Sequence, residues 1–97
     1  MQWTLDKLKQ RREEILDIAR RRGALRVRVF GSIARGDAGP DSDVDFVVEF
    51  AQGTSLLDHG GLIMDLEEAL GCKVDVVSER GMKERLRRHV ETDAVAL

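Results

Sequence analysis

Gly31-Ser32-Ile33-Ala34-Arg35-Gly36-Asp37-Ala38-Gly39-Pro40-Asp41-Ser42-Asp43-Val44-Asp45 is a glycine-serine turn followed at a fixed distance by two aspartates one residue apart. An apolar run (Leu25, Val27, Val29, Phe30) leads into it and a second, Val44 to Phe50, leads out. The stretch therefore joins one expected strand to the next. Residues two apart in an extended chain point the same way, which puts the Asp43 and Asp45 carboxylates on one face, about 6.5 Å apart along the strand. That spacing suits magnesium, a hard cation usually held by one or two carboxylates together with substrate phosphates.

The turn supplies the other half of such a site. Gly31 has no Cβ, so a phosphate can approach its backbone closely, and a helix beginning at Ser32 or Ile33 would aim free amides at the anion. Ser32 adds a hydroxyl donor. Arg35, three residues on, either contacts a phosphate or braces Asp37. The span from Gly31 to Gly36 has the glycine spacing of a Walker A loop but no Lys-Ser or Lys-Thr after it, and no Gly-x-Gly-x-x-Gly occurs. Asp41, after Gly39-Pro40, reads as turn chemistry. Asp45 does not, because it lies between Val44 and Phe46, where a purely structural strand seldom places a charge.

Gly31-Ser32, ten intervening residues and then Asp43-x-Asp45 resembles the signature of the DNA polymerase beta nucleotidyltransferase superfamily. Gly31-Ser32-x-x-Arg35-Gly36-Asp37 with Ser42-Asp43-x-Asp45 is most similar to the small stand-alone minimal nucleotidyltransferase (MNT) domains, and the resemblance continues through residues 55 to 90. It implies that Asp75, in Lys73-Val-Asp-Val-Val-Ser78, is a third metal-binding carboxylate. Taken alone, a charge in that β-branched run lies at an exposed face or is paired, and the run leaves both open. Three carboxylates suffice to bridge two magnesium ions about 4 Å apart, the arrangement used in nucleotidyl transfer.

The resemblance further implies the reaction. An acceptor hydroxyl attacks the α-phosphorus of ATP and releases pyrophosphate; Asp43, Asp45 and Asp75 hold two Mg2+ ions, Asp75 takes or orients the hydroxyl proton, and Gly31 and Ser32 grip the β- and γ-phosphates. Larger superfamily members carry a second domain for base and acceptor, for which this chain has no room. The implied acceptor is a docked protein, a HEPN-type ribonuclease toxin silenced when this antitoxin adenylylates a tyrosine near its active site. Two other classes stand beside it: an antitoxin that masks its partner by binding alone, and a transferase acting on RNA ends or on a small molecule such as an aminoglycoside. The intact aspartates weigh against the first and the length against the second.

With 97 residues, a single nucleotidyltransferase domain spanning 1–97 is expected, small enough for a partner to help its stability. Cys72 is the only cysteine, so no internal disulfide forms, and beside Val74 it reads as packing. The N-terminus lacks an apolar stretch suited to a signal peptide and no segment approaches a membrane span, so the cytoplasm is the expected compartment.

Leu5, Leu8, Arg12, Ile15, Leu16 and Ala19 follow helical spacing after a Thr4 N-cap, predicting one helix that ends at Arg20 to Arg22 before Gly23. Trp3 is expected to pack against it. Strands are expected at Leu25 to Phe30, Val44 to Phe50 and Lys73 to Ser78. Ser55 and Asp58 form a capping box for a helix through Leu70, with Gly60-Gly61 a candidate break in its first turn. Met82, Leu86 and Val90 mark a last helix, followed by a weak tail from Thr92 to Leu97. The order αβ(α)βαβα is an α/β sandwich, a small mixed sheet flanked by helices.

Charge is unevenly spread. Residues 1 to 28 carry nine Lys or Arg against four Asp or Glu, residues 29 to 79 two against eleven, and residues 80 to 97 five against three. The acidic centre coincides with the candidate site, and would repel a bare triphosphate unless divalent cations were present. Arg20 to Arg22 and Arg85, Arg87 and Arg88 read as solvated helix faces rather than nucleic-acid contacts. His59 and His89 belong to no metal-spaced cluster.

Overall fold

The computed structural model describes residues 2–97. A four-stranded mixed sheet has the order β3-β2-β1-β4, with β1 Ala24–Phe30, β2 Val44–Phe50, β3 Val74–Ser78 and β4 Val95–Ala96. β2 runs parallel to β3, whereas β1 is antiparallel to both β2 and β4. Helices α1 Leu5–Gln10, α2 Arg12–Arg21 and α4 Leu56–Leu70 contribute Leu8, Ile15, Ala19, Leu62 and Leu66 to a core with Val27, Val29, Phe46, Val48 and Val76 of the sheet. On the second face Val47 packs with Met82 and Val90, the latter from α5 Glu84–Asp93. Both faces of β2 are thus covered, which explains its nearly unbroken apolar reading. Among the described residues no helix is long and apolar enough to cross a membrane.

Four sequence expectations need correction. The first helix is two: Thr4 caps α1 as expected, but Arg11 leaves helical geometry at φ −107°, ψ 18°. The cause is tertiary. Arg11 donates to the Ala69 carbonyl at 2.9 Å, pairs with Glu14 and lies 5.4 Å from the Trp3 ring centroid, while Trp3 Nε1 donates to the Leu70 carbonyl at 3.0 Å. Two carbonyls at the end of α4, which have no partner within that helix, are satisfied in this way. Trp3 therefore packs into the main core and ties the N-terminus to α4.

Second, Gly60-Gly61 interrupts nothing, because α4 runs unbroken behind its Ser55/Asp58 capping box. Gly61 makes room instead: a Cβ there would lie 2.5 Å from the guanidinium of Arg22, which bonds Asp65 at 2.8 Å. Third, Met82 precedes the last helix, following a 3-10 turn at Glu79–Gly81. Fourth, the weak tail contains β4, with Val29 opposite Val95 and Arg28 opposite Ala96.

The free edge of β3 is blunted by α4. Val74 N–H donates to Glu67 Oε2 at 3.1 Å, and His59 Nε2 lies 2.8 Å from the Val76 carbonyl. These backbone groups face away from β2 and would otherwise template another strand.

Candidate active site

Strand register assembles the carboxylates. Asp45 lies opposite Phe30 on one side and Asp75 on the other, so the two aspartates are neighbours on adjacent parallel strands, about 5 Å apart at the backbone. Asp43 immediately precedes β2, two residues before Asp45, and its charge reaches Asp45. Asp75 is exposed; Asp43 and Asp45 are half-buried. Of the two readings open for the Asp75 run, the structure selects the exposed face, beside a second carboxylate.

β1 delivers the turn to the same place. Phe30, the residue opposite Asp45, is followed at once by α3 Gly31–Arg35, so the helix starts at Gly31 and not at Ser32 or Ile33. Gly31 adopts φ +75°, and a Cβ on it would sit 2.5 Å from Asp45 Oδ2. Only glycine satisfies both conditions without displacing the carboxylate. Phe30 offers no side-chain acceptor to the first turn, which leaves its amides without a side-chain cap. Gly36 at φ +82° closes the short helix, and Asp37 N–H returns to the Ser32 carbonyl at 3.0 Å.

Burial, then the charges of Asp75 and Asp43, push the Asp45 carboxyl up to about 6, with Arg35 pulling the other way. A carboxylate so disfavoured is one a cation would relieve. Among the described residues no three His, Cys, Asp or Glu side chains converge into a ready-made cage. Magnesium does not need one, since it keeps waters and takes substrate phosphates as further ligands. The donor set, all oxygen and with Asp75 exposed to solvent, fits that ion.

Arg35 braces Asp37, with Nε donating to Asp37 Oδ2 at 3.2 Å, and Nη1 also lies 3.5 Å from Asp93 Oδ2 at the end of α5. Sequence reading missed Asp93 because nothing in the tail signals a contact 58 residues away. Asp41 is exposed and Ser42 Oγ accepts from Gly39 N–H at 2.8 Å, the turn expected there. Cys72 packs against the main core, and burial first, then Asp43 and Glu67, push its thiol up and away from the reactive thiolate form. A cavity of about 220 Å3 flanks α3, lined by Trp3, Thr4, Ile33, Ala34 and Gly36 among others, and none of the three aspartates lines it.

Known proteins resemble this chain in sequence and in fold. The family model for the nucleotidyltransferase domain matches residues 12–96. The chain is 38% identical over 79 residues to the protein adenylyltransferase MntA of Thermococcus cleftensis, covering 81% of this chain and 80% of that protein. A solved structure described as a candidate minimal nucleotidyltransferase superposes with TM-score 0.86 at 52% identity, covering 98% of this chain and 97% of the other. A second, from a toxin-antitoxin complex with AMP-PNP, superposes with TM-score 0.76 at 26% identity, covering 87% and 69%.

Proposed function

The chain belongs to the nucleotidyltransferase domain family, and from that premise we propose that it is a magnesium-dependent protein adenylyltransferase. It moves AMP from ATP to a tyrosine hydroxyl of a partner HEPN-type ribonuclease toxin and acts as that toxin's antitoxin in the cytoplasm. A relative 38% identical bears the adenylyltransferase name, and a structural neighbour 26% identical comes from a toxin-antitoxin complex with an ATP analogue. Both support the reading.

The observation that carries it is the register that sets Asp45 beside Asp75 and directly against Gly31. Asp43, Asp45 and Asp75 are the residues that would hold the metal. Bound magnesium supplies charge neutralisation between these carboxylates and the triphosphate. Gly31 and Ser32 take the β- and γ-phosphates on backbone amides and hydroxyl, and Arg35 adds positive charge at the flank of the turn. Asp75, the exposed member, faces the acceptor and takes or orients the proton as the tyrosine oxygen bonds to the α-phosphorus and pyrophosphate leaves. In this reading the partner's own surface presents the acceptor to the exposed Asp75.

Intact-mass spectrometry of the HEPN partner tests this. A catalytic amount of the chain with ATP and magnesium should silence an excess of partner and add adenylyl mass. The Asp43→Asn Asp45→Asn chain should do neither. No mass gain with the wild type, together with full silencing by both chains at one equivalent, would instead make the domain a masking antitoxin.

A further inference from the structure

Asp93 is the last residue of α5, where the helix carbonyls already concentrate negative potential and an acidic side chain is disfavoured. The last turn of α5 contains no basic residue to offset it. Compensation comes from across the fold, from Arg35 on α3, whose Nη1 lies 3.5 Å from Asp93 Oδ2. The Asp93 side chain is only 22% exposed, against 61% for Asp37, the other carboxylate on Arg35. Asp93 is also well anchored. The strand two residues on pairs Val95 with Val29, and β1 runs from Val29 through Phe30 into Gly31.

We propose that Asp93 is a positioning residue for nucleotide binding: with Asp37 it holds the Arg35 guanidinium at the flank of the Gly31-Ser32 turn, so that the remaining N–H donors meet the triphosphate. A guanidinium carries five N–H groups, and Asp37 and Asp93 engage one each. Tethering in advance removes rotamer freedom that a free arginine would lose on capturing a phosphate. The charge of Arg35 already reaches Asp45, so the tether also keeps a cation beside the most disfavoured carboxylate. This inference rests on the adenylyltransferase reading.

Titration of the wild type and variants with Mg–AMP-PNP tests it by binding alone. Asp93→Asn should weaken binding roughly five- to tenfold, as expected for loss of a charge-assisted contact, and Asp93→Glu should restore most of it. On an Arg35→Lys background, which lacks the planar fork, Asp93→Asn should have no further effect. Binding by Asp93→Asn equal to wild type, or the same loss on both backgrounds, would overturn the proposal. Circular dichroism identifies a variant that fails to fold, in which case Asp93→Ser takes its place. Failure of the wild type itself to bind Mg–AMP-PNP would strike the adenylyltransferase reading, not the tether alone.

Discussion

Gly31 and Asp45 are in contact across the turn, and a methyl group on Gly31 would lie 2.5 Å from Asp45 Oδ2. Gly31→Ala therefore meets two penalties, a left-handed φ of +75° and a displaced carboxylate. The first alone costs about 1–2 kcal/mol, which for a domain of this size lowers the melting midpoint by roughly 4–16 °C. Adenylyl transfer should fall further than stability does, because the carboxylate that moves is a metal ligand in the proposed site. A thermal scan and a label-transfer assay on the same preparation check both effects.

Asp45→Asn should stabilise the metal-free protein at neutral pH while abolishing transfer. Burial, Asp75 and Asp43 raise the folded-state value to about 6 from an ordinary 3.8, so the folded chain binds this proton more tightly than the unfolded chain does. That contribution to stability is present below about pH 4 and lost as pH rises through 6. An amide never ionises and avoids the loss. The gain expected at pH 7.5 is about 1 kcal/mol, discounted for the solvent that reaches this half-buried group, and it should vanish toward pH 4. Urea melts of both proteins across that range, without metal, check the sign.

The parts of the fold that were legible in the sequence are those set by local chemistry. Periodicity located β1 and β2, the Ser55/Asp58 box and Gly71 bounded α4, and the Gly31 to Asp45 spacing marked the turn and the first carboxylate pair. What was hidden depends on contacts distant in sequence. The break at Arg11 follows from a carbonyl 58 residues away, β4 is a two-residue strand defined only by its partner, and Gly61 accommodates Arg22. His59 read as no part of a metal cluster and Glu67 carried no signal, because the edge they blunt exists only after β3 and α4 pack. Asp75 was placed beside Asp45 by family resemblance. Its own run of β-branched residues did not specify the register that puts it there.

Glu79→Gln should destabilise the fold at neutral pH and flatten its dependence on acid. The carboxylate accepts from Arg28 at 2.7 Å and Arg26 at 3.0 Å, and the Arg28 side chain is 19% exposed with its Nε lacking any hydrogen-bond partner. Burial pushes Glu79 up, but the hydrogen bonds and charges of Arg26 and Arg28 outweigh it and hold the carboxyl below its ordinary value. The sign is opposite to that of Asp45: this stability is present above the unfolded-state value and lost as pH falls through the folded one. Removing the charge should cost about 1–2 kcal/mol at pH 7. Melts from pH 7 to pH 3 should show the wild type and variant converging at the acid end.

Nucleotide binding should require a divalent cation, and the requirement should depend on the carboxylates. Asp45 lies beside Asp75 and within reach of the Asp43 charge next to the Gly31 turn, where a bare triphosphate would meet like charge. In the proposed site, magnesium or manganese would make ligands of the same carboxylates, and attraction would replace repulsion. Titration calorimetry with ATP should give a measurable isotherm in magnesium and no heat in chelator. The Asp43→Asn Asp45→Asn chain decides whether these residues are responsible: its affinity in magnesium should drop at least tenfold, while in chelator it should bind no worse than the wild type. Equal binding by the wild type with and without metal would remove magnesium from the site and leave the aspartates to another role.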